Sequence, residues 1–573
     1  MNLHRETPML RHSSLAAVLV AVLVSGGCNL DVGNPNDPDA PRAFRDPAGL
    51  EQLMSGAIRT WVGTRSDYFI LALNAQADNY TASWNNAAIR FYSSVASDCS
   101  SRCGWTNSAT APEAAGGPTV ESSWYGYHTV LSSATDVLRG IANGVCFDGD
   151  CAADSTLTSR NKAIAKMLQG MALAGIALLY DQGFAVDENT DLSNPLAIPF
   201  NTRVEMRDFA LQKFEEAWTE AGVATWVTGD DWMGVDGGRI YTNQQIRQLI
   251  RTMQAELVAL WPRNSAENVA ADWAQVATYA SGGVSSGTPF DWEYNIDLNN
   301  AECGLDCIKT WGNSIGTMRV DTRVAAMITT NHIDPWPDPG GNPCPTTSPD
   351  RRVGDGSYGP TDNFSGYATL AKTANAGTDF ACSGVVIFPP ARGQYHQSNL
   401  QHVRYQYLAY CSFGEGLPGC NGSGQDPLYT RQMNDLLWAE GLIRSGGNLG
   451  LAAQKIDNSR VGRGGLPTAV GGTQAQLLAA LQYEQEIEFM GQGTTPFFNR
   501  RRIDGLIAGT PRHMPVPAKE LEVLVREIYT FGGPGAPDMA PAANGDGGSS
   551  GVRSVGEIWQ EYRAMARAAT RRF

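Results

Sequence analysis

The stretch NKAIAKMLQGMALAGIALLYDQGF, residues 161–184, is a long helical pattern. Alanine, leucine, methionine and isoleucine dominate it, and they fall on nearly every side of a helix rather than on one stripe. A helix that is apolar all round is typical of a protein core. We therefore predict a buried helix over 161–180 that ends near Gly183.

Further helical patterns precede and follow this core segment. The clearest covers Thr202 to Ala221, where Thr202 and Glu205 form a capping box and Gly222 is placed to serve as a left-handed cap. Other helices are predicted from Pro47 (capped by Asp46) to about Trp61, and over 242–260, 266–280, 429–444 and 474–489. Strand patterns are few and short, with Gly384 to Phe388 the best, so the chain is predicted to be mainly α.

The long stretch 282–425 is rich in Gly, Pro, Asn, Asp and Cys, with scattered Trp and Tyr. A loop region of that length is either disordered or functional, and its cysteines and aromatic residues favour an ordered, functional region. Residues 532–552 are low in complexity and are predicted to be a flexible linker. A final helix is predicted over 553–573, with a capping box at Ser554 and Glu557. The main helical domain is expected to cover 46–531.

The N-terminus indicates the compartment. An apolar run over 15–24 follows two arginines and is too short to span a bilayer, which takes about 20 residues of helix. Residues 1–27 are therefore predicted to be a signal peptide. Ser25-Gly26-Gly27 before Cys28 is similar to a bacterial lipobox, apart from Ser25 where leucine is usual. The similarity implies a lipid-modified Cys28 followed by an extended tether over 28–45; an ordinary secretory signal with an incidental cysteine is the alternative.

Cysteine usage suits an oxidising compartment. Without Cys28 the 11 cysteines leave ten, an even number that fits disulfides stapling the loops. The tight local pairs are Cys99 with Cys103, Cys146 with Cys151, and Cys303 with Cys307; Cys411 and Cys420 form a looser pair, and Cys344 and Cys382 remain. None has the C-x-x-C spacing of a zinc or redox site.

The charge balance excludes one class of partner. The formal net charge is −15, and an acidic surface repels phosphate backbones, so no nucleic acid is expected to bind. Arg500, Arg501 and Arg502 form the only dense basic run. We interpret it as a solvated or internally paired helix end.

Several phrases together resemble the SusD/RagB family of outer-membrane nutrient-uptake lipoproteins. Residues 28–36, CNLDVGNPN, look like the family's lipidated start. The run 166–184 is similar to its long helix ending in a "YG" turn. Residues 438–444, WAEGLIR, resemble its "AEALLR" helix, and 456–466 resembles "IN-x-x-R…GL".

The strongest similarity lies nearer the C-terminal end. Residues 484–493 resemble "ER-x-x-EL…EG", 498–501 stand where the family has "DLRR", and 514–520 match "FPIP-x-x-E". Gln485, Gln492 and Asn499 replace the family's Arg, Glu and Asp, and these departures bear on local pairing more than on ligand. The helix after Ser554 and the cysteine-rich loops lie outside the pattern.

The resemblance implies tetratricopeptide-like helix pairs packed against a loop-rich ligand-binding half with few short strands. It also implies a non-catalytic, lipid-anchored outer-membrane protein, expected to face the cell surface. Its expected partner is a SusC-like TonB-dependent barrel, and its expected ligand is an oligosaccharide, with a peptide or other nutrient as the alternative. A helical-repeat lipoprotein with an assembly or scaffold role is the second functional class, and a lipid-anchored hydrolase is the third.

Ligand contacts are predicted where aromatic rings stand beside polar side chains, because sugars need a flat apolar face and hydrogen-bonding arms. The first cluster is Asp78, Asn79, Tyr80, Trp84 and Asn85, and the second is Trp292, Tyr294 and Trp311. Core packing is the competing interpretation for each aromatic residue. Trp336, between two prolines, is a weaker candidate.

Other chemistry is poorly supported. Residues 312–316 spell G-x-S-x-G, but a nucleophile elbow needs a strand before it and a helix after it, which this chain does not predict. Asn295, Asp297 and Asn299 alternate like part of a calcium loop without its glycine and final glutamate, so no cofactor is expected and a structural calcium is the alternative. Glu484, Glu486 and Glu488 are expected to be solvated or salt-bridged rather than catalytic.

Overall fold

The fold was obtained as a computed structural model. It describes residues 45–82, 88–93, 102–112, 116–147, 149, 151–152, 155–234, 237–296, 305–312, 318–329, 348–353, 378–382, 398, 400–405, 408 and 423–533. Its helices up to residue 281 are α1 (Pro47–Arg65), α2 (Leu71–Gln76), α3 (Ile89–Ser93), α4 (Gly117–Ala142), α5 (Thr156–Leu179), α6 (Arg203–Glu220), α7 (Asn243–Leu260), α8 (Ser265–Ala270) and α9 (Trp273–Ser281). The later helices are α10 (Cys307–Gly312), α11 (Thr322–Ile328), α12 (Arg431–Arg444), α13 (Leu449–Arg460), α14 (Gln474–Glu488), α15 (Thr495–Arg502) and α16 (Ala518–Val523).

The helices pack as a continuous series of neighbours. Helix α1 packs on α4, α4 on α5, α5 on α6, and α6 on α7; the series continues through α9, α12, α13 and α14. The prediction of a mainly α protein built of tetratricopeptide-like helix pairs is confirmed. Helix α5 is buried along most of its length, as its all-round apolar pattern predicts. It is the one described helix long and apolar enough to cross a membrane, and its burial is that of a core helix.

The predicted capped starts of α1 and α6 are confirmed, whereas the core helix α5 begins at Thr156, five residues before the predicted start. Asp46 caps α1 with Pro47 in the first turn, and Thr202 and Glu205 form the capping box of α6. The predicted helix over 266–280 is instead two helices, because Asp272 accepts the Gln275 amide and starts α9 anew. The prediction that Gly222 is a left-handed cap is wrong. Helix α6 ends through turn hydrogen bonds from the Gly222 amide to the Thr219 carbonyl and from the Val223 amide to the Glu220 carbonyl.

The described strands are short and pair only in twos. They are β1 (Tyr80–Ala82), β2 (Gln182–Gly183), β3 (Asn201–Thr202), β4 (Trp292–Ile296), β5 (Met318–Val320), β6 (Phe380–Cys382), β7 (Leu400–His402) and β8 (Gly424–Tyr429). All four pairs are antiparallel: β1 with β5, β2 with β3, β4 with β8, and β6 with β7. The β4–β8 pair connects the loop-rich region to the start of α12. The strand predicted over 384–388 lies outside the described residues.

The basic run at the end of α15 is internally paired, as predicted. Arg501 is buried and donates to the carbonyl oxygens of Leu178 (2.7 Å) and Leu260 (3.0 Å), at the ends of α5 and α7. Arg502 donates to both carboxylate oxygens of Glu440 at 2.7 and 2.6 Å. A guanidinium satisfies several helix-end acceptors at once, which explains why arginine occupies these buried positions.

One glycine permits a close helix contact. A side chain at Gly441, in the segment that resembles "AEALLR", would place its Cβ 2.5 Å from the backbone nitrogen of Ala277. Only glycine lets α12 lie this close to α9. The α9–α12 contact therefore depends on a residue that departs from the family's phrase.

Candidate functional site

The predicted ligand contacts that the structure describes are buried. Asp78, Asn79, Tyr80, Trp292 and Tyr294 are at most 3% exposed, and Trp311 is 9% exposed. Protein neighbours account for the positions of Asp78, Tyr80, Trp292 and Trp311. Their role as ligand contacts stays a prediction, and Trp84, Asn85 and Trp336 lie outside the described residues.

Packing and pairing occupy these side chains. The Tyr80 hydroxyl lies 2.7 Å from Nδ1 of His402, and Asp78 forms an ion pair with Arg102. The Trp292 ring packs 5.7 Å from Trp61 and 6.0 Å from Tyr429, centroid to centroid. Trp311 meets Tyr68 edge to face at 5.0 Å. The two predicted clusters therefore join the loop segments to the helical core.

An open cleft lies between α11 and helices α13 and α14. Its volume is about 470 Å³, within the usual size range of ligand pockets. One wall is Met327, Ile328, Thr329 and Pro349; the other is Arg460, Leu466, Gln476, Ala479, Ala480 and Tyr483. The Ser348 hydroxyl donates to the Ile328 carbonyl at 2.6 Å, which holds the first wall together across the undescribed residues 330–347.

Helix α14 presents one stripe of side chains to this cleft. Gln476, Ala479, Ala480 and Tyr483 are spaced at i, i+3, i+4 and i+7, so they share a helix face. The two alanines leave room above the helix, while the tyrosine ring and the glutamine amide border that room. An aromatic face beside an amide, the Arg460 guanidinium and the Thr329 hydroxyl can take up a sugar ring or a similar amphipathic ligand.

A buried ionic network lies behind Tyr483 and Arg460. It joins the guanidiniums of Arg352, Arg404, Arg460 and Arg463 to the carboxylates of Asp350, Asp379, Glu484 and Glu488. All four carboxylates are fully buried. Equal numbers of opposite charges, with many hydrogen bonds, keep such a cluster from being prohibitively costly to bury.

Arg352 is at the centre of this network. Its guanidinium lies 2.8 Å from Asp350, 2.8 Å from Glu484 and 3.3 Å from Glu488. Burial opposes ionisation of Glu488, but Arg404, Arg463 and Arg352 together hold its pKa well below the usual range. Of the two expected states, solvated or salt-bridged, Glu484 and Glu488 adopt the salt-bridged one, and Glu486 pairs with Arg323 at 2.7 Å on another side of α14.

The network also positions the cleft's tyrosine. The Tyr483 hydroxyl donates to Oδ2 of Asp350 at 2.8 Å. Burial, followed by the negative charge of Asp350, raises the pKa of Tyr483, so the hydroxyl stays protonated at neutral pH. The ring is thereby held in one orientation at the edge of the cleft. Sequence reasoning missed this site; its signal was the Gln-Ala-Ala-Tyr spacing within 476–483, next to the Glu484–Glu488 pair.

Other predicted sites are described only in part. Cys146 and Cys151 form the predicted disulfide. Cys103 and Cys307 each take part in a separate disulfide. Cys28, Cys99, Cys303, Cys344, Cys411 and Cys420, and the side chain of Cys382, lie outside the described residues. Across the ranges that the structure describes, no three His, Cys, Asp or Glu side chains are grouped to hold a metal ion. Asp297 and Asn299 of the alternative calcium loop are not described.

No family model and no curated protein matches the chain. Solved structures do. The chain is similar to a SusD homolog from Bacteroides thetaiotaomicron VPI-5482, at 12% identity and a TM-score of 0.53, covering 86% of this chain and 98% of that one. It is also similar to SusD superfamily proteins from Parabacteroides distasonis ATCC 8503 (10% identity, TM-score 0.52, covering 82% and 97%) and Bacteroides vulgatus ATCC 8482 (11%, 0.51, 84% and 97%). The chain has the SusD-like fold.

Proposed function

We propose that this protein of SusD-like fold is a cell-surface, outer-membrane lipoprotein that binds a nutrient, most readily an oligosaccharide, and passes it to a SusC-like TonB-dependent barrel. The observation that carries the proposal is the extent of the fold: the similarity spans nearly the whole length of the solved SusD-like structures. The N-terminal signal and Cys28 support the membrane location, since a lipid anchor would hold the mature chain at the membrane surface.

The cleft between α11 and α14 is our proposed place of ligand contact. Its lining offers aliphatic side chains and the Tyr483 ring for the apolar face of a sugar, with Arg460, Gln476 and Thr329 for hydroxyl groups. Trp84 and Asn85 remain proposed contacts from the sequence.

Filling the cleft should weaken ligand binding. Ala479→Trp places an indole in the cleft from an exposed position on α14, so the fold should tolerate it. We expect affinity to fall at least about tenfold, the equivalent of about 1.4 kcal/mol. The measurement is titration calorimetry against the best binder from arrays of neutral oligosaccharides, acidic oligosaccharides and short peptides.

Ala475→Trp is the matched control. It makes the same change one turn earlier on α14, at an exposed residue that does not line the cleft. Equal affinity in both variants and in the unaltered protein would place the ligand elsewhere. An array in which nothing binds the unaltered protein would count against the nutrient-binding proposal itself.

Copurification tests the proposed partner. Full-length tagged protein, extracted gently from its own outer membrane, should bring down a large TonB-dependent barrel in near-equal amount. A Cys28→Ala variant, which cannot be lipidated, should leave the membrane fraction and recover far less barrel. Recovery of the unaltered protein alone, or with periplasmic partners, would favour the scaffold alternative.

A further inference from the structure

One exposed surface remains without a role in the proposed function. We call it the α16 face: Tyr125 on α4, and Lys519, Glu520, Glu522, Val523, Val525, Arg526 and Glu527 on α16 and the residues after it. Val523 is 66% exposed, Val525 is 92% exposed and Tyr125 is 41% exposed. Adjacent exposed apolar residues bordered by charge often indicate a binding surface.

Contacts between α4 and α16 show that the start of α16 lies beside Tyr125. Lys519 pairs with Glu121 at 2.8 Å, one helical turn from Tyr125. Burial, followed by the charges of Glu520 and Glu121, raises the pKa of the Tyr125 hydroxyl. The Trp124 side chain hydrogen-bonds to Glu520. Glu520 therefore lies beside Trp124 and Tyr125, and Val523 follows Glu520 by about one turn of α16.

The backbone after α16 displays Val525 outward. Its φ is 53°, in the left-handed region, which is unfavourable for a β-branched residue. The amide of Val525 bonds to the Glu522 carbonyl (3.1 Å) and that of Arg526 to Leu521 (2.8 Å), so this conformation is held firmly. The fold thus keeps an apolar side chain exposed at an unfavourable backbone position.

The segment after the described chain has the complementary pattern. In the predicted helix, one face carries Val555, Ile558, Trp559, Tyr562, Met565, Ala566, Ala569 and Phe573, at spacings of three and four residues. Residues 553–573 also contain five arginines and two glutamates in a chain whose net charge is −15. A helix with this apolar face is stable when the face packs on another surface, and its arginines favour a surface that carries carboxylates.

The chain length allows the two to meet. Val525 is eight residues before Gly533, a path of at most about 28 Å of extended chain. The Gly- and Pro-rich residues 534–553, as the flexible linker that the sequence predicts, would span about 25 Å on average. A tether of this length gives an effective concentration in the millimolar range, so a weak contact suffices for docking.

We infer that residues 554–572 fold as an amphipathic helix that docks on the α16 face of the same chain. The face with Trp559 and Tyr562 covers Tyr125, Val523 and Val525, while the arginines lie beside Glu520, Glu522 and Glu527. This contact would tie the extra C-terminal segment, which lies outside the family's pattern, to the helical domain.

Hydrogen–deuterium exchange of the full chain tests this docking. Amides of 554–572 should exchange at least tenfold more slowly than in the free synthetic peptide 553–573. Val523→Asp with Val525→Asp should remove that protection, because both side chains are exposed and the fold does not need them. The reciprocal variant Ile558→Ser with Trp559→Ser should remove it too. Val269→Asp, a change at a 75% exposed valine on α8, should leave the protection intact.

Each other outcome overturns the proposal. Exchange at the rate of the free peptide means that the segment does not dock. Protection that survives Val523→Asp with Val525→Asp places the helix on another surface. Protection that grows with protein concentration indicates a second copy as the partner, and protection that appears only with phosphatidylglycerol vesicles indicates a membrane surface.

Discussion

Replacing Arg352 by methionine should destabilise the protein by about 3–5 kcal/mol, the range for breaking a buried ion pair by removing one partner. Methionine is similar in length but leaves Asp350, Glu484 and Glu488 without their shared cation, all three fully buried. Asp350 would also lose the partner that orients it toward Tyr483. Binding at the cleft should therefore weaken even at temperatures where the variant is folded.

Urea denaturation monitored by circular dichroism measures the first effect. Arg431→Met is the matched control, since Arg431 pairs with Asp291 at 3.2 Å but is 47% exposed, and exposed pairs contribute at most about 1 kcal/mol. If Arg352→Met and Arg431→Met lower the free energy of unfolding equally, the buried network does not stabilise the protein in the way that its geometry indicates. Ligand titration of the folded variant then separates loss of binding from loss of fold.

A second large loss of stability is expected when Lys309 is replaced by methionine and unfolding is measured at pH 8. The Lys309 ammonium is buried, 3.0 Å from Oδ2 of Asp306 and 2.6 Å from Oδ1 of Asp426, and both carboxylates are fully buried. Lys309→Met should cost about 3–5 kcal/mol there, because it leaves two buried carboxyl groups without a cation. These residues join α10 to β8, so the loss acts on the contact between the loop-rich region and the helical core.

The stability lost in Lys309→Met should be smaller at pH 5 than at pH 8. Burial and the neighbouring Asp306 raise the pKa of Asp426 to about 7, although Lys309 lowers it. The folded protein thus keeps a proton that the unfolded chain loses near its ordinary pKa of about 3.9, so this carboxyl's contribution to stability declines as the pH rises from about 4 to about 7. Without Lys309 the pKa rises further, and acid neutralises the uncompensated carboxyl.

Denaturation of Lys309→Met at pH 5, 6.5 and 8 measures this dependence. Asp426→Asn is the companion variant, because it removes the titrating group while retaining the shape of the side chain. We expect Asp426→Asn to flatten the pH dependence of stability relative to the unaltered protein. An equal loss in Lys309→Met at all three pH values would mean that Asp426 does not titrate in this range.

The helices were predictable because local chemistry specifies them. Asp46-Pro47 and the Thr202–Glu205 box start α1 and α6 where predicted, and the all-round apolar pattern of 161–180 matches the burial of α5. The break between α8 and α9 was missed because Asp272 competes locally as a cap within a segment that otherwise continues the helical pattern.

The candidate site was less predictable. An aromatic ring beside amide and carboxylate groups has the same local sequence in a sugar site as in a core, and only distant partners distinguish them. Trp292 is buried because Trp61 and Tyr429 meet it from elements more than 130 residues away on either side. The cleft, conversely, forms where α14 passes α11, over 140 residues apart in the chain.

By itself, then, the sequence determined the helical class, most helix starts and the burial of α5. It left the basic run at Arg500–Arg502 and the Glu484–Glu488 region as either solvated or ion-paired. Tertiary structure alone decided which aromatic residues are core and which side chains line the cleft. It also decided that Arg352 and Lys309 are each buried among carboxylates. The physical reason is range: caps and amphipathic periods act within a few residues, whereas burial and ion pairing depend on segments that meet only in the folded chain.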